Sequence, residues 1–151
     1  MSSKAKGELV IVQLEKAKKI LMSENYTCVI ADKENVYVSK QRGVSPLIAW
    51  YEKNLRFQGF AAADKVVGKA TAFLYLLLGV GSVYADVISV GALNVLKRGN
   101  VNVEYGICVN NIINRAGTDI CPFEKAVLDI SDAHIAYCEI RNKMRELNIS
   151  A

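Results

Sequence analysis

The sequence predicts an α/β chain with three α/β/α layers on a five-stranded mixed sheet, and three observations lead there. Two short runs rich in β-branched and aromatic residues, Tyr26 to Ala31 and Asn35 to Lys40, flank the polar turn Asp32-Lys33-Glu34-Asn35 and read as an antiparallel hairpin. From residue 57 onward strand-like and helix-like segments alternate, which requires crossover connections and largely parallel strands. Glycines at positions 79, 81 and 99 punctuate those segments.

Composition sets the frame. The 151 residues are 52% hydrophobic and 23% charged, the balance of a globular chain. A chain of this length buries roughly 70% of its unfolded surface as one domain, so residues 1–151 are expected to form a single domain without disulfides or metal. The longest strongly apolar stretch, Ala70 to Val80, is too short to span a bilayer, so no membrane partner is expected. The polar N-terminal residues lack the layout of a signal peptide, which makes the cytoplasm the expected compartment. Cys28, Cys108, Cys121 and Cys138 are widely spaced and read as reduced thiols. The net charge of +4 is spread along the chain and makes no basic stripe with interleaved aromatics, so nucleic acid is not an expected partner.

Each element follows in order. Val10, Leu14, Ala17 and Leu21 recur at helical spacing, predicting a helix over residues 8–23. After the hairpin, Ser45-Pro46 supplies a cap and a first-turn proline for a helix over 47–53. A third strand is expected over 57–63, ending at Asp64, which caps an apolar helix over 65–78. Ser82 to Ser89 is the fourth strand, Ala92 to Lys97 a short helix, and Val101 to Tyr105 the fifth strand, with Gly106 ending it. Pro122 opens a helix to about Asp129, and Ser131 caps a last helix ending near Leu147.

That order, with the segment Leu93-x-x-Leu96-x-x-Gly99-x-Val101-x-Val103, resembles the cytidine-deaminase-like fold. The stretch Ala63-Asp64-Lys65-Val66-Val67-Gly68-Lys69-Ala70, together with Asn114-Arg115-x-Gly117-Thr118-Asp119-x-Cys121-Pro122-x-Glu124-Lys125-Ala126-Val127, is similar to a small prokaryotic family of unknown function placed in that superfamily. The resemblance covers about Tyr26 to Asp129 and implies self-association into a homodimer or higher oligomer. A zinc deaminase needs His/Cys-x-Glu at the start of its second helix and Pro-Cys-x-x-Cys at the start of its third. Here those places read Val44-Ser45-Pro46-Leu47 and Asp64-Lys65-Val66-Val67-Gly68, so no zinc and no other cofactor is expected.

The candidate site residues follow from this alignment. Asp64, Lys65, Gly68 and Lys69 are expected at the sheet rim where open α/β sheets bind ligands, with two cationic heads beside a helix N-terminus. Either that place holds an anion, or Asp64 only caps and both lysines are solvated. Cys121 is placed at an N-cap with Glu124 closing a capping box, and is either a nucleophile with a lowered pKa or a small buried apolar residue. Arg115, Thr118 and Asp119 lie in a loop long enough to fold over the rim, where Arg115 and Asp119 either bind or pair together. Ser45 is the remaining rim candidate, at the start of the second helix. His134, the only histidine, reads as a neutral surface residue. Trp50, Tyr51, Leu55, Phe57 and Phe60 are either core or an apolar patch for a partner subunit.

Three functions remain open. The first is a zinc-free binder of a small anionic ligand, such as a nucleotide or phosphate compound, using Lys65, Lys69 and the Arg115 to Glu124 loop. The second is a metal-independent hydrolase or transferase in which Asp64 or Glu124 moves protons and Lys65 or Cys121 acts as electrophile or nucleophile. The third is a structural or partner-binding protein without a ligand.

Overall fold

A computed structural model describes residues 3–151. Helix α1 (Ser3–Ser23) begins five residues before the predicted start, because its first turns are polar, solvent-facing and carry no apolar periodicity. It buries Leu14, Ala17 and Leu21, one stripe at helical spacing, and Gln13 reaches across to donate to the Gly59 carbonyl at 3.0 Å. Strands β1 (Cys28–Ala31) and β2 (Val36–Ser39) form the expected antiparallel hairpin, with Asp32 accepting from the Glu34 and Asn35 amides at its turn.

Helix α2 (Ser45–Glu52) opens with Pro46 in its first turn, as predicted, but Ser45 is not its cap: Val44 holds that position and makes no side-chain capping bond. Strand β3 (Ala61–Val67), helix α3 (Lys69–Leu78), strand β4 (Ser82–Ser89), helix α4 (Val90–Arg98) and strand β5 (Asn102–Val109) complete the alternating part. Short helix α5 (Pro122–Ala126) and helix α6 (Ala133–Glu146) close the chain, the latter capped by Asp132 in place of Ser131. The Asp132 carboxylate accepts from the Ile135 amide at 2.9 Å, which a neighbouring serine hydroxyl does not displace.

The five strands lie in the order β2-β1-β3-β4-β5. Strand β1 is antiparallel to both neighbours, while β3, β4 and β5 run parallel, so the sheet is mixed. One face carries α1 on a thin apolar layer of Val29, Ala31, Ala61, Ala63 and Tyr84. The other carries the main core, where Ile30, Ala62, Val83 and Ile88 meet Phe73, Leu74, Leu78 and Leu96, with Ile140 and Met144 of α6 outside them. This is a three-layer α/β/α arrangement. Phe57 is buried and stacks edge-on against Tyr37 and Trp50, which assigns that aromatic group to packing on the core. Among the described residues no helix is long and apolar enough to cross a membrane.

Two departures move the chemistry. Strand β3 starts four residues late and continues through Asp64 to Val67, held in parallel register with β4 from Ala61↔Ser82 to Val67↔Ile88. Phe57 is excluded from the strand because its amide donates to the Leu78 carbonyl and Gly59, at φ +78°, turns the chain. Strand β5 runs through Gly106 instead of ending there. A Cβ at Gly106 would stand 2.7 Å from the Asp86 carbonyl oxygen, so glycine permits close approach of the two strands.

Candidate functional site

Asp64 is a mid-strand residue, not a helix cap. Its side chain faces the main core, where it accepts from the Tyr75 hydroxyl at 2.7 Å and from the Val66 amide at 3.2 Å. Burial pushes its pKa up to about 7, opposed by the Tyr75 and backbone hydrogen bonds. Cys28, directly opposite Asp64 in the β1–β3 pairing, has its thiol pushed well up by burial and by the Asp64 charge. Tyr75 is shifted the same way for the same two reasons. The trio is a closed polar island inside the core.

Lys65 alternates to the opposite face of the sheet and is exposed, with its amide bonded to the Thr27 carbonyl. It therefore does not sit one helical turn from Lys69. The N-cap of α3 is Gly68, four residues later than predicted, in extended conformation and without a side-chain cap.

What fills that helix start is Glu124. Its carboxylate accepts from the Lys69 amide at 2.5 Å, from the Ile112 amide at 2.8 Å and from the Ser89 hydroxyl at 3.1 Å, and it is 5% exposed. Gly68 makes room for it, since a Cβ there would lie 3.1 Å from Glu124 Oε1 and 3.3 Å from Ile112 Cγ1. The negative carboxylate completes the N-terminal turn of α3 as an external anion would. The predicted capping box between Cys121 and Glu124 is absent for the same reason. Cys121 does hold the N-cap of α5, half-buried and without a side-chain capping bond, while its amide donates to the Ile112 carbonyl.

The structure thus brings Gly68, Lys69 and Glu124 together at the carboxyl ends of β3 and β4, and leaves Asp64, Lys65 and Ser45 elsewhere. Ser45 is buried in the first turn of α2. Arg115, Thr118 and Asp119 are exposed on a loop organised by Asn114, whose side-chain oxygen accepts from the Thr118 amide at 3.0 Å. Asp119 pairs with Lys125 and not with Arg115, and that contact holds its carboxyl below the usual range. His134 is exposed. Among the described residues no three His, Cys, Asp or Glu side chains gather as a metal-holding group.

Lys69 also borders an open groove of about 470 Å³ between α3, α4 and the segment joining α5 to α6. Its ammonium donates to the Leu128 carbonyl at 2.8 Å and lies 5.8 Å from the Phe73 ring centre. Asn94 and Arg98 of α4 line the same groove, and at Gly91, in the first turn of α4, an added Cβ would lie 3.3 Å from Lys69 Cδ, so the Lys69 stem packs close to the start of that helix. Asp129 supplies the one carboxylate among the groove's lining residues. Ser89, Tyr75, Asn94 and Arg98 are the residues that sequence reasoning missed. Only Ser89 carried a usable signal, a serine immediately before an apolar helix, and it does cap α4 by accepting from the Ala92 amide.

The family described as TM1506, domain of unknown function (DUF1893), matches residues 16–144 of the chain. The chain belongs to the DUF1893 family. A crystal structure of a DUF1893 family protein, TM1506 from Thermotoga maritima, superposes on it with a TM-score of 0.81 at 26% sequence identity, covering 87% of this chain and 90% of that one. No curated protein matches this DUF1893 chain.

Proposed function

We propose that this DUF1893 chain is a binding protein for a small anionic ligand, such as a nucleotide or another phosphate compound, and that the groove beside Lys69 receives it. The observation that carries the proposal is the pair of cationic side chains, Lys69 and Arg98, on the walls of one groove with the Asn94 amide between their helices. Phe73, Leu76, Val95 and Ile130 add apolar surface for the remainder of such a ligand. The ligand lies outside the helix start itself, because Glu124 already occupies the Lys69 amide.

The cytidine-deaminase-like relationship belongs to the same reading. A helix, an antiparallel hairpin and then alternating helices and strands to a fifth strand support it. With the corrected boundaries the second and third helices open Ser45-Pro46-Leu47 and Lys69-Ala70-Thr71, neither of which supplies a zinc ligand of the deaminase type. The reading is of a deaminase-like domain with its metal chemistry gone.

The test is thermal unfolding with pyrophosphate and a panel of nucleotides. A ligand at a hundredfold excess over its Kd adds about 2.7 kcal/mol of stability. Across the panel, at least one phosphate compound should raise Tm, and a flat panel overturns the proposal.

A further inference from the structure

Helices α3 and α4 each follow one of two parallel strands and return against it, so they run side by side in the same direction. Two close approaches fix their register. In the first turn of α4 a Cβ on Gly91 would lie 3.3 Å from Lys69 Cδ, and just past its end a Cβ on Gly99 would collide with the Leu76 side chain. Lys69, the first residue of α3, is therefore level with the start of α4, and Leu76, two turns later, is level with its end. That register separates the groove's two cations. Arg98 lies seven positions beyond Gly91, so at a rise of about 1.5 Å per residue Lys69 and Arg98 stand at opposite ends of the groove, about 10 Å apart along the helix axes.

Lys69 is held at its own end, with its stem against Gly91 and its ammonium on the Leu128 carbonyl at 2.8 Å. To share one small anion with it, Arg98 would have to fold back along two turns of α4, over Asn94 and Val95, and so cover the groove it lines. Among the described residues neither cation is paired with a carboxylate. Midway between them lie Phe73 of α3 and Asn94 and Val95 of α4, which offer a ring face, an amide and apolar surface but no positive charge. Asp129, next in the chain to Leu128, opposes a ligand that is negative along its whole length. We propose that this groove takes an elongated dianion, with one anionic group at Lys69, a second at Arg98 and an uncharged, partly apolar middle holding them about 10 Å apart. The proposal rests on the anion-binding reading above and narrows it to a class of ligand. The planar fork of Arg98 accommodates a carboxylate or a phosphate through two parallel hydrogen bonds, while Lys69 acts as a point charge. Inorganic phosphate and pyrophosphate are too short to engage both ends. A ligand anchored at one end brings its second head to the other as an intramolecular event, which raises affinity beyond that of either contact alone.

The test uses a molecular ruler: calorimetric titration of the full chain with alkane bisphosphonates, a phosphonate at each end of a carbon chain of increasing length. Affinity should peak at about six to eight carbons, where the two heads span the groove. At the peak it should exceed that of methylene bisphosphonate, and that of the alkylphosphonate of equal length with a single head, by about tenfold or more. Arg98→Ala should bring the best bisphosphonate down to the affinity of its single-headed counterpart. Arg98 is exposed in the last turn of α4, so folding survives the change, and an unchanged circular dichroism spectrum checks it. Lys69→Met should do the same from the other end. Affinity that is flat with length or greatest for the shortest probe, or the absence of binding by every bisphosphonate, overturns the two-headed ligand. If nucleotides or phosphate compounds still raise Tm in that event, anion binding stands without it, and a flat nucleotide panel removes both.

Discussion

The Glu124 carboxylate and the Lys69 amide, fifty-five positions apart in sequence, meet at 2.5 Å and lock α5 onto the start of α3. The same carboxylate holds the Ile112 amide and the Ser89 hydroxyl, so one buried acid joins the loop after β5 to the junction of β4 and α4. Replacing it by alanine strands two backbone donors in a water-poor place. An unsatisfied buried donor costs roughly 1–3 kcal/mol, so Glu124→Ala should lose about 3 kcal/mol in urea unfolding. Glu124→Gln, which retains one acceptor oxygen, should lose less. Equal stability of all three proteins would show that the carboxylate is not structural.

Glycine positions give a graded prediction. At Gly68 a Cβ presses on a side-chain oxygen, which can shift, whereas at Gly106 it would press on the Asp86 backbone carbonyl at 2.7 Å, which is held in the sheet. Overpacking typically costs about 1–3 kcal/mol. Gly68→Ala should fall at the lower end and Gly106→Ala at the upper end or beyond, measured by denaturant midpoint. The reverse order would mean that the Glu124 cradle is stiffer than the sheet.

Asp64 makes stability depend on pH. Its folded pKa of about 7 lies above the value of about 3.9 for an unfolded aspartate, so between those values the folded state keeps a proton that the unfolded state has released. Stability is then fully present below the unfolded pKa, declines as pH rises across that window, and flattens once the folded carboxyl ionises. The decline should amount to roughly 2–4 kcal/mol, and it should be absent in Asp64→Asn, which retains an acceptor for the Tyr75 hydroxyl. Parallel pH profiles for the two proteins would refute the assignment.

These residues also show which parts of the architecture could be read from sequence. Strand β4 lies where it was expected, and Gly79 ends α3 in the left-handed conformation a C-terminal glycine favours. Asp64 misled because the first four residues of β3, Ala61 to Asp64, are all buried and show no alternation, while Lys65 and Lys69 at helical spacing imitate an exposed helical face. The convergence of Gly68 and Lys69 with Glu124 was legible, since both stretches were assigned to one sheet edge. The partners of that carboxylate were not. The Ser89 hydroxyl lies thirty-five positions from it, and no local pattern encodes a contact of that range. Nor did Arg98 stand out, since a basic residue in the last turn of a helix is expected from the dipole alone.

That ambiguity over Arg98 yields the sharpest prediction for the groove. Lys97 and Arg98 are consecutive, both exposed and both in the last turn of α4, so they contribute alike to helix stability and to overall charge. Only Arg98 lines the groove that Lys69 borders. Arg98→Ala should therefore abolish the rise in Tm produced by a phosphate compound that stabilises the wild type, and Lys97→Ala should retain it. A single charge-assisted hydrogen bond contributes roughly 1.5–3 kcal/mol, enough to weaken binding more than tenfold. Loss of the response in both variants would point to general charge attraction, since a bound anion held in the groove distinguishes the two neighbours by which way they face.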